Sequence, residues 1–147
     1  MPVRFQLVIN AADPDRLARF WAAALHYELA PPPTGFPSWH DYYLDLGIPE
    51  EELALGADRI SDPQGHGPAI WFQMSPDAKA VKNRLHLDIH ASGHRTDPLE
   101  ARKARVDAEA SRLAGLGAAI LGSLDEEGLD HYAVAMEDPE GNEFDIN

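Results

Sequence analysis

Apolar and polar residues alternate in two short segments of this chain. In Arg4-Phe5-Gln6-Leu7-Val8-Ile9-Asn10 and in Arg84-Leu85-His86-Leu87-Asp88-Ile89-His90, apolar side chains recur at every second position. A period of two sends alternate side chains to opposite faces, so both segments are expected to be half-buried strands. Phe5, Leu7 and Ile9, or Leu85, Leu87 and Ile89, form the apolar faces. Gln6 and Asn10, or His86, Asp88 and His90, form the polar ones. Downstream of each segment the period lengthens. Leu17, Phe20, Trp21, Ala24 and Leu25 line one helical face. Val106, Ala110, Leu113 and Leu116 make a second stripe, which Gly117 is placed to end in the left-handed conformation.

The punctuation repeats as well. Asp13-Pro14 precedes the first helix and Asp97-Pro98 the second. An Asp side chain accepts the free N–H groups of a helix start, and Pro suits the first helical position. Glu100 stands three residues after Asp97 and is expected to complete a capping box. Strands are expected after the helices, near residues 27–30 and 118–122. Each half then reaches an Asp-Pro-x-Gly turn, Asp62-Pro63-Gln64-Gly65 or Asp138-Pro139-Glu140-Gly141. These turns feed Ala69-Ile70-Trp71-Phe72-Gln73-Met74 and Glu143-Phe144-Asp145-Ile146. The same order of elements twice over implies an internal duplication. The fold class is therefore α+β, with two βαβββ modules forming a curved, cup-shaped mixed β-sheet with flanking helices. The modules are expected at about residues 1–76 and 82–147 of one domain spanning residues 1–147.

Residues 31–68 break the symmetry with a stretch rich in Pro and Gly. Ser38 is placed to cap a short helix through Leu46, and Pro49-Glu50-Glu51-Glu52-Leu53 reads as a further helical turn. Such an insertion is a lid or cavity wall, or else a surface excursion with a small core around Trp39 and Tyr43.

Bulk properties narrow the class. The chain has 147 residues, enough to bury a core without staples. It has no cysteine, which excludes disulfides and thiolate chemistry and fits a reducing, cytoplasmic setting. The first residues carry no apolar stretch of the kind a secretory leader needs. No run approaches the roughly 18 apolar residues of a membrane span. A formal charge of -13 argues against nucleic acid as a partner. G-x-G-x-x-G, P-loop and G-x-S-x-G motifs are absent.

The polar strand faces carry the candidate chemistry. Gln6 and His86 are partners in the repeat, and Gln73 and Asp145 are read as partners near the ends of the halves. If the strands curl, these four side chains converge as ligands for a divalent ion with open positions for substrate. Two of them are neutral amides, which bind such ions weakly, so a merely solvated His86 is the competing reading. Asp88 and His90 share the face of His86 and would act as an acid–base pair or orient it. Trp71 falls on the face of Gln73, where it stacks on a planar ligand or simply fills the cup.

These residues resemble the vicinal oxygen chelate superfamily, which holds glyoxalase I, extradiol dioxygenases and bleomycin-resistance proteins. Lys82-Asn83-Arg84-Leu85-His86-Leu87-Asp88 and Asp138-Pro139-Glu140-Gly141-Asn142-Glu143-Phe144 resemble its glyoxalase-like branch. So do Ala12-Asp13-Pro14 with Phe20-Trp21, and Gly67-Pro68 with Phe72-Gln73. The resemblance implies metal ligands at Gln6, Gln73, His86 and Asp145, holding Ni, Zn, Mn or Fe. Asp145 stands in for the longer Glu of the family, and Gln73 departs from its acidic residue. The implied activity is that of a metal-dependent lyase or isomerase acting on a small oxygenated molecule. Asp88 would be its base, with Trp71 and His90 lining the cavity. The alternative is a non-catalytic drug-binding protein of the bleomycin-resistance type. Either would work as a homodimer on a small-molecule ligand, without nucleic acid or membrane.

Overall fold

A computed structural model describes residues 1–53 and 55–147. The chain divides into two compact units, Met1–Ala78 and Lys79–Asn147. In the first, β1 (Gln6–Ala11) leads into α1 (Pro14–Leu25) and β2 (Glu28–Leu29). Then come α2 (Trp39–Asp45), a 3-10 turn at Glu50–Glu52, β3 (Arg59–Ser61) and β4 (Ala69–Met74). In the second, β5 (Asp88–Ile89) precedes α3 (Leu99–Gly115), β6 (Ala119–Leu124), β7 (Ala133–Glu137) and β8 (Glu143–Ile146). The two sheets share one topology. Their orders are β1-β4-β3-β2 and β5-β8-β7-β6. In each, the first strand lies parallel to the last and the other pairings are antiparallel. The expected βαβββ module is thus present twice.

Alternation sets the layers. Ile70 and Phe72 of β4 are fully buried with Leu17, Phe20 and Trp21 of α1. Phe144 and Ile146 of β8 are buried with Val134 and Met136 of β7 and with Val106 and Leu113 of α3. Each sheet therefore packs its helix on one face, and the polar residues of its strands stand on the other.

The two turns are copies at atomic detail. Asp62 accepts from the N–H groups of Gln64, His66 and Gly67, each at 2.8 Å. Asp138 accepts from Glu140 N–H at 2.9 Å and Asn142 N–H at 3.0 Å. Gly65 and Gly141 take φ of 72° and 84°, which a side chain would resist.

Three expectations need correcting. First, the strands begin later than the alternation implies. Leu85 is 89% exposed, Phe5 is also exposed, and β5 covers only two residues. The partner strands explain this. Gln6 pairs with Ala69, and the residue before it, Pro68, has no N–H to offer. Asp88 pairs with Asp145, so Arg84 would face Gly141, which is already in the turn. Second, Asp97 does not cap α3. The helix starts one residue later without a side-chain cap, and the Asp97 carboxylate accepts from Arg105 Nη1 at 2.6 Å instead. At α1 the expected cap does form, with Asp13 accepting from Arg16 N–H at 3.1 Å. Third, β3 and β7, which the sequence reading did not place by residue, complete the modules. Among the described residues, no helix is long and apolar enough to cross a membrane.

Candidate metal centre and ligand cavity

β5 and β8 bring three polar side chains together. Their parallel register sets Asp88 beside Asp145, so the two carboxylates stand on the same polar face. His86, two residues before Asp88, falls on that face as well. Its Nδ1 lies 3.1 Å from Asp88 Oδ1 and 3.7 Å from Asp145 Oδ2. One ligand atom from each of the three lies within 4.8 Å of the others. All three remain open to solvent, with 38%, 44% and 38% of the His86, Asp88 and Asp145 side chains exposed. Among the described residues, the ion pairs of both aspartates are with His86.

The spacing suits a cation. Ligand atoms held about 2.1 Å from one ion in tetrahedral or octahedral geometry lie roughly 3.0–3.4 Å from one another. The 3.1 Å and 3.7 Å separations of His86 Nδ1 from the two carboxylates lie within or just above that range. One imidazole and two carboxylates also form a donor set that borderline divalent ions accept. On the flank, Asn147 joins the face. Its Oδ1 lies 2.7 Å from His90 Nδ1, and its Nδ2 makes a long 3.5 Å contact with Asp88 Oδ2. Asn147 thus links His90 to Asp88. Sequence reasoning overlooked Asn147, although its place two residues after Asp145 puts it on the same face.

The first unit deploys its polar face differently. Gln6 pairs with Ala69 and Asn10 with Gln73, so Gln6 and Gln73 stand four residues apart along paired strands. That is on the order of 13 Å, too far for the two to share an ion within this unit. The register also changes the repeat partner of Asp145. Val8 faces Trp71 as Asp88 faces Asp145, and Arg59 faces Trp71 as Ala135 faces Asp145. Two independent pairings therefore make Trp71, not Gln73, the counterpart of Asp145. Even spacing from the turn fixes the face on which Gln73 stands but not its register, and Trp71, two residues earlier, is the position that matches.

Trp71 and Gln73 instead line a cavity of about 430 Å³, together with Tyr43, Glu51, Glu52 and Asp58. The inserted segment of residues 31–68 supplies four of these six. Asp58 is the buried member, 5% exposed. Its Oδ2 accepts from the Tyr43 hydroxyl at 3.2 Å and from Trp71 Nε1 at 3.1 Å. Arg59 donates to the Tyr43 oxygen at 3.1 and 3.0 Å, and its guanidinium stacks over Trp39 and Trp71. Burial pushes the Asp58 carboxyl up from its ordinary value, and the bonds from Trp71 and Tyr43 oppose that rise. Burial likewise raises the Tyr43 hydroxyl. The insertion fits both of its readings, because it lines the cavity while Trp39 and Tyr43 stack in a small aromatic cluster with Tyr42. Asp58 had no sequence signal beyond opening the third strand that a βαβββ module requires.

A model of the glyoxalase-like domain matches residues 6–147. No curated protein sequence matches the chain. Solved structures share the fold at low identity. A glyoxalase/bleomycin resistance protein/dioxygenase family enzyme from Burkholderia phytofirmans PsJN is 16% identical at a TM-score of 0.56, covering 97% of this chain and 94% of that one. The fosfomycin resistance protein FosX from Mesorhizobium loti is 11% identical at 0.57, over 99% and 91% of the two chains. A mutant of FosX from Listeria monocytogenes, complexed with Mn(II) and dihydroxypropylphosphonic acid, is 11% identical at 0.60, over 100% and 92%.

Proposed function

Because the chain belongs to the glyoxalase-like domain family, we propose that its second unit holds a divalent cation on His86, Asp88 and Asp145. The substrate would be a small molecule with adjacent oxygens, turned over by lyase or isomerase chemistry. The convergence of these three side chains within 4.8 Å carries this reading. An ion held there polarises a substrate oxygen as a Lewis acid. The chain's own residues do the rest. Asn147 contacts Asp88 from the flank, and His86 lies within 3.1 Å and 3.7 Å of the two carboxylates with which it would share the ion. The Mn(II) complex of the Listeria FosX supports the choice of Mn(II) as the first ion to test. A homodimer in the cytoplasm is the expected setting.

The test is a titration of Mn(II) into the full chain, read by the paramagnetic resonance signal of the free ion. Uptake of one ion per chain, abolished in His86→Ala and Asp145→Ala, is expected. A chain that leaves Mn(II), Zn(II), Ni(II) and Fe(II) free at excess overturns the reading. The cavity of the first unit favours a second reading, binding of a small molecule without catalysis. Saturable ligand binding by metal-free protein would support it.

A further inference from the structure

The first unit contains a carboxylate that the proposed metal chemistry leaves unused. Asp58 is buried, yet both of its side-chain hydrogen bonds from Tyr43 and Trp71 go to Oδ2. Its Oδ1 is buried without a partner. Buried polar atoms are nearly always hydrogen-bonded, so this carboxylate, which lines the cavity, is short of compensation for its charge. The rest of the lining decides what would supply it. Glu51 and Glu52 face the same space, and no Lys or Arg is among the described lining residues. Arg59, behind the wall, is engaged by the Tyr43 hydroxyl and by two indole faces. It offsets one of the three carboxylates and leaves two. Trp71 and Tyr43 add aromatic surface, which attracts cations through the ring quadrupole. A volume of about 430 Å³ suits a small organic molecule rather than a bare ion.

We propose that this cavity binds an organic cation, an ammonium or amidinium group on an apolar or aromatic body, with the Asp58 carboxylate as its counter-charge. The proposal names the ligand class for the non-catalytic binding reading and rests on it. It does not depend on metal in the second unit. Asp58, the buried member of the lining, attracts the charged group. Trp71 and Tyr43 flank the apolar body, and Glu51 and Glu52 add field at the rim.

The experiment uses full-length metal-free protein and three probes of one shape. These are 2-phenylethylamine, a cation at neutral pH, neutral 2-phenylethanol and anionic 3-phenylpropionate. Binding is followed by titration calorimetry and by tryptophan fluorescence, since Trp71 lines the cavity. The amine is expected to bind at least about ten-fold more tightly than the alcohol, a difference typical of one charged hydrogen bond. The propionate is expected not to bind. Asp58→Asn keeps an acceptor for Tyr43 and Trp71 and should weaken the amine by about ten-fold or more. Paired Glu51→Gln and Glu52→Gln substitutions, on exposed side chains, should weaken it by about three-fold. Should Asp58→Asn fail to fold, the probe series on the unmodified chain and the rim variants decide. An alcohol that binds as well as the amine, or an Asp58→Asn protein that keeps its amine affinity, overturns the cation assignment while the binding reading stands. Absence of binding by all three probes overturns both.

Discussion

Replacing Asp138 with Ala should cost far more than replacing its repeat partner Asp62, although the two serve the same turn. The Asp138 carboxylate is 4% exposed and accepts from the backbone N–H groups of Glu140 and Asn142 and from the Asn142 amide. In Asp138→Ala the Asn142 amide can turn toward water, but the two backbone donors are fixed. Leaving a buried donor unpaired costs about 1–3 kcal/mol, so the pair should cost about 2–6 kcal/mol. For a chain of this length, about 3 °C of melting temperature is lost per kcal/mol, which gives a drop of about 6–18 °C. Asp62 serves three backbone donors, but two of its bonds are exposed and water replaces them there. Its substitution should lower the melting temperature by less than half as much. Thermal unfolding followed by circular dichroism on the two variants provides the comparison. Equal losses, or a drop of under about 3 °C for Asp138→Ala, would refute the reasoning that burial sets the cost.

Glu143 is held down to about 2, first by the Lys79 ammonium and then by the Asn83 N–H. A depressed folded value stabilises the native state above the unfolded value of about 4.5 and is lost as pH falls toward 2. Glu143→Gln should therefore flatten the acid limb of the stability curve between those limits, as measured by urea unfolding at each pH. A Cβ added at Gly67 would overlap the Tyr27 hydroxyl, so Gly67→Ala should cost about 1–3 kcal/mol. Tyr27→Phe in the same chain should recover most of that loss in a calorimetric melt. Mn(II) at about a hundredfold over its dissociation constant should stabilise the chain by about 2.7 kcal/mol. Asp145→Asn should abolish most of that gain while changing the metal-free melt little, because exposed ion pairs such as His86–Asp145 contribute about 0–1 kcal/mol.

The modules were legible because their signals are local. Alternation, the Asp13-Pro14 cap and the Asp-Pro-x-Gly turns each depend on residues within one turn of chain, and the structure reproduces them. The site was legible only in part, because register is a property of two strands at once. His86, Asp88 and Asp145 came together as their shared parity implied. The partner of Asp145 was misassigned because even spacing from the turn fixes a face but not a register, which only the ladder reveals. Asp58 lay beyond reach for a related reason. Its environment comes from Tyr43 and Trp71, more than ten residues away on either side, and no periodicity links them.

The register of Trp71 against Asp145 has an evolutionary consequence. In an assembly of two identical single-module chains, symmetry would force one residue type onto both copies of a position. Fusing the copies into one chain lifts that constraint. Here the freed position has become an indole in one half and a carboxylate in the other. The duplication has let one ancestral strand diverge toward stacking in one copy and toward charge in the other.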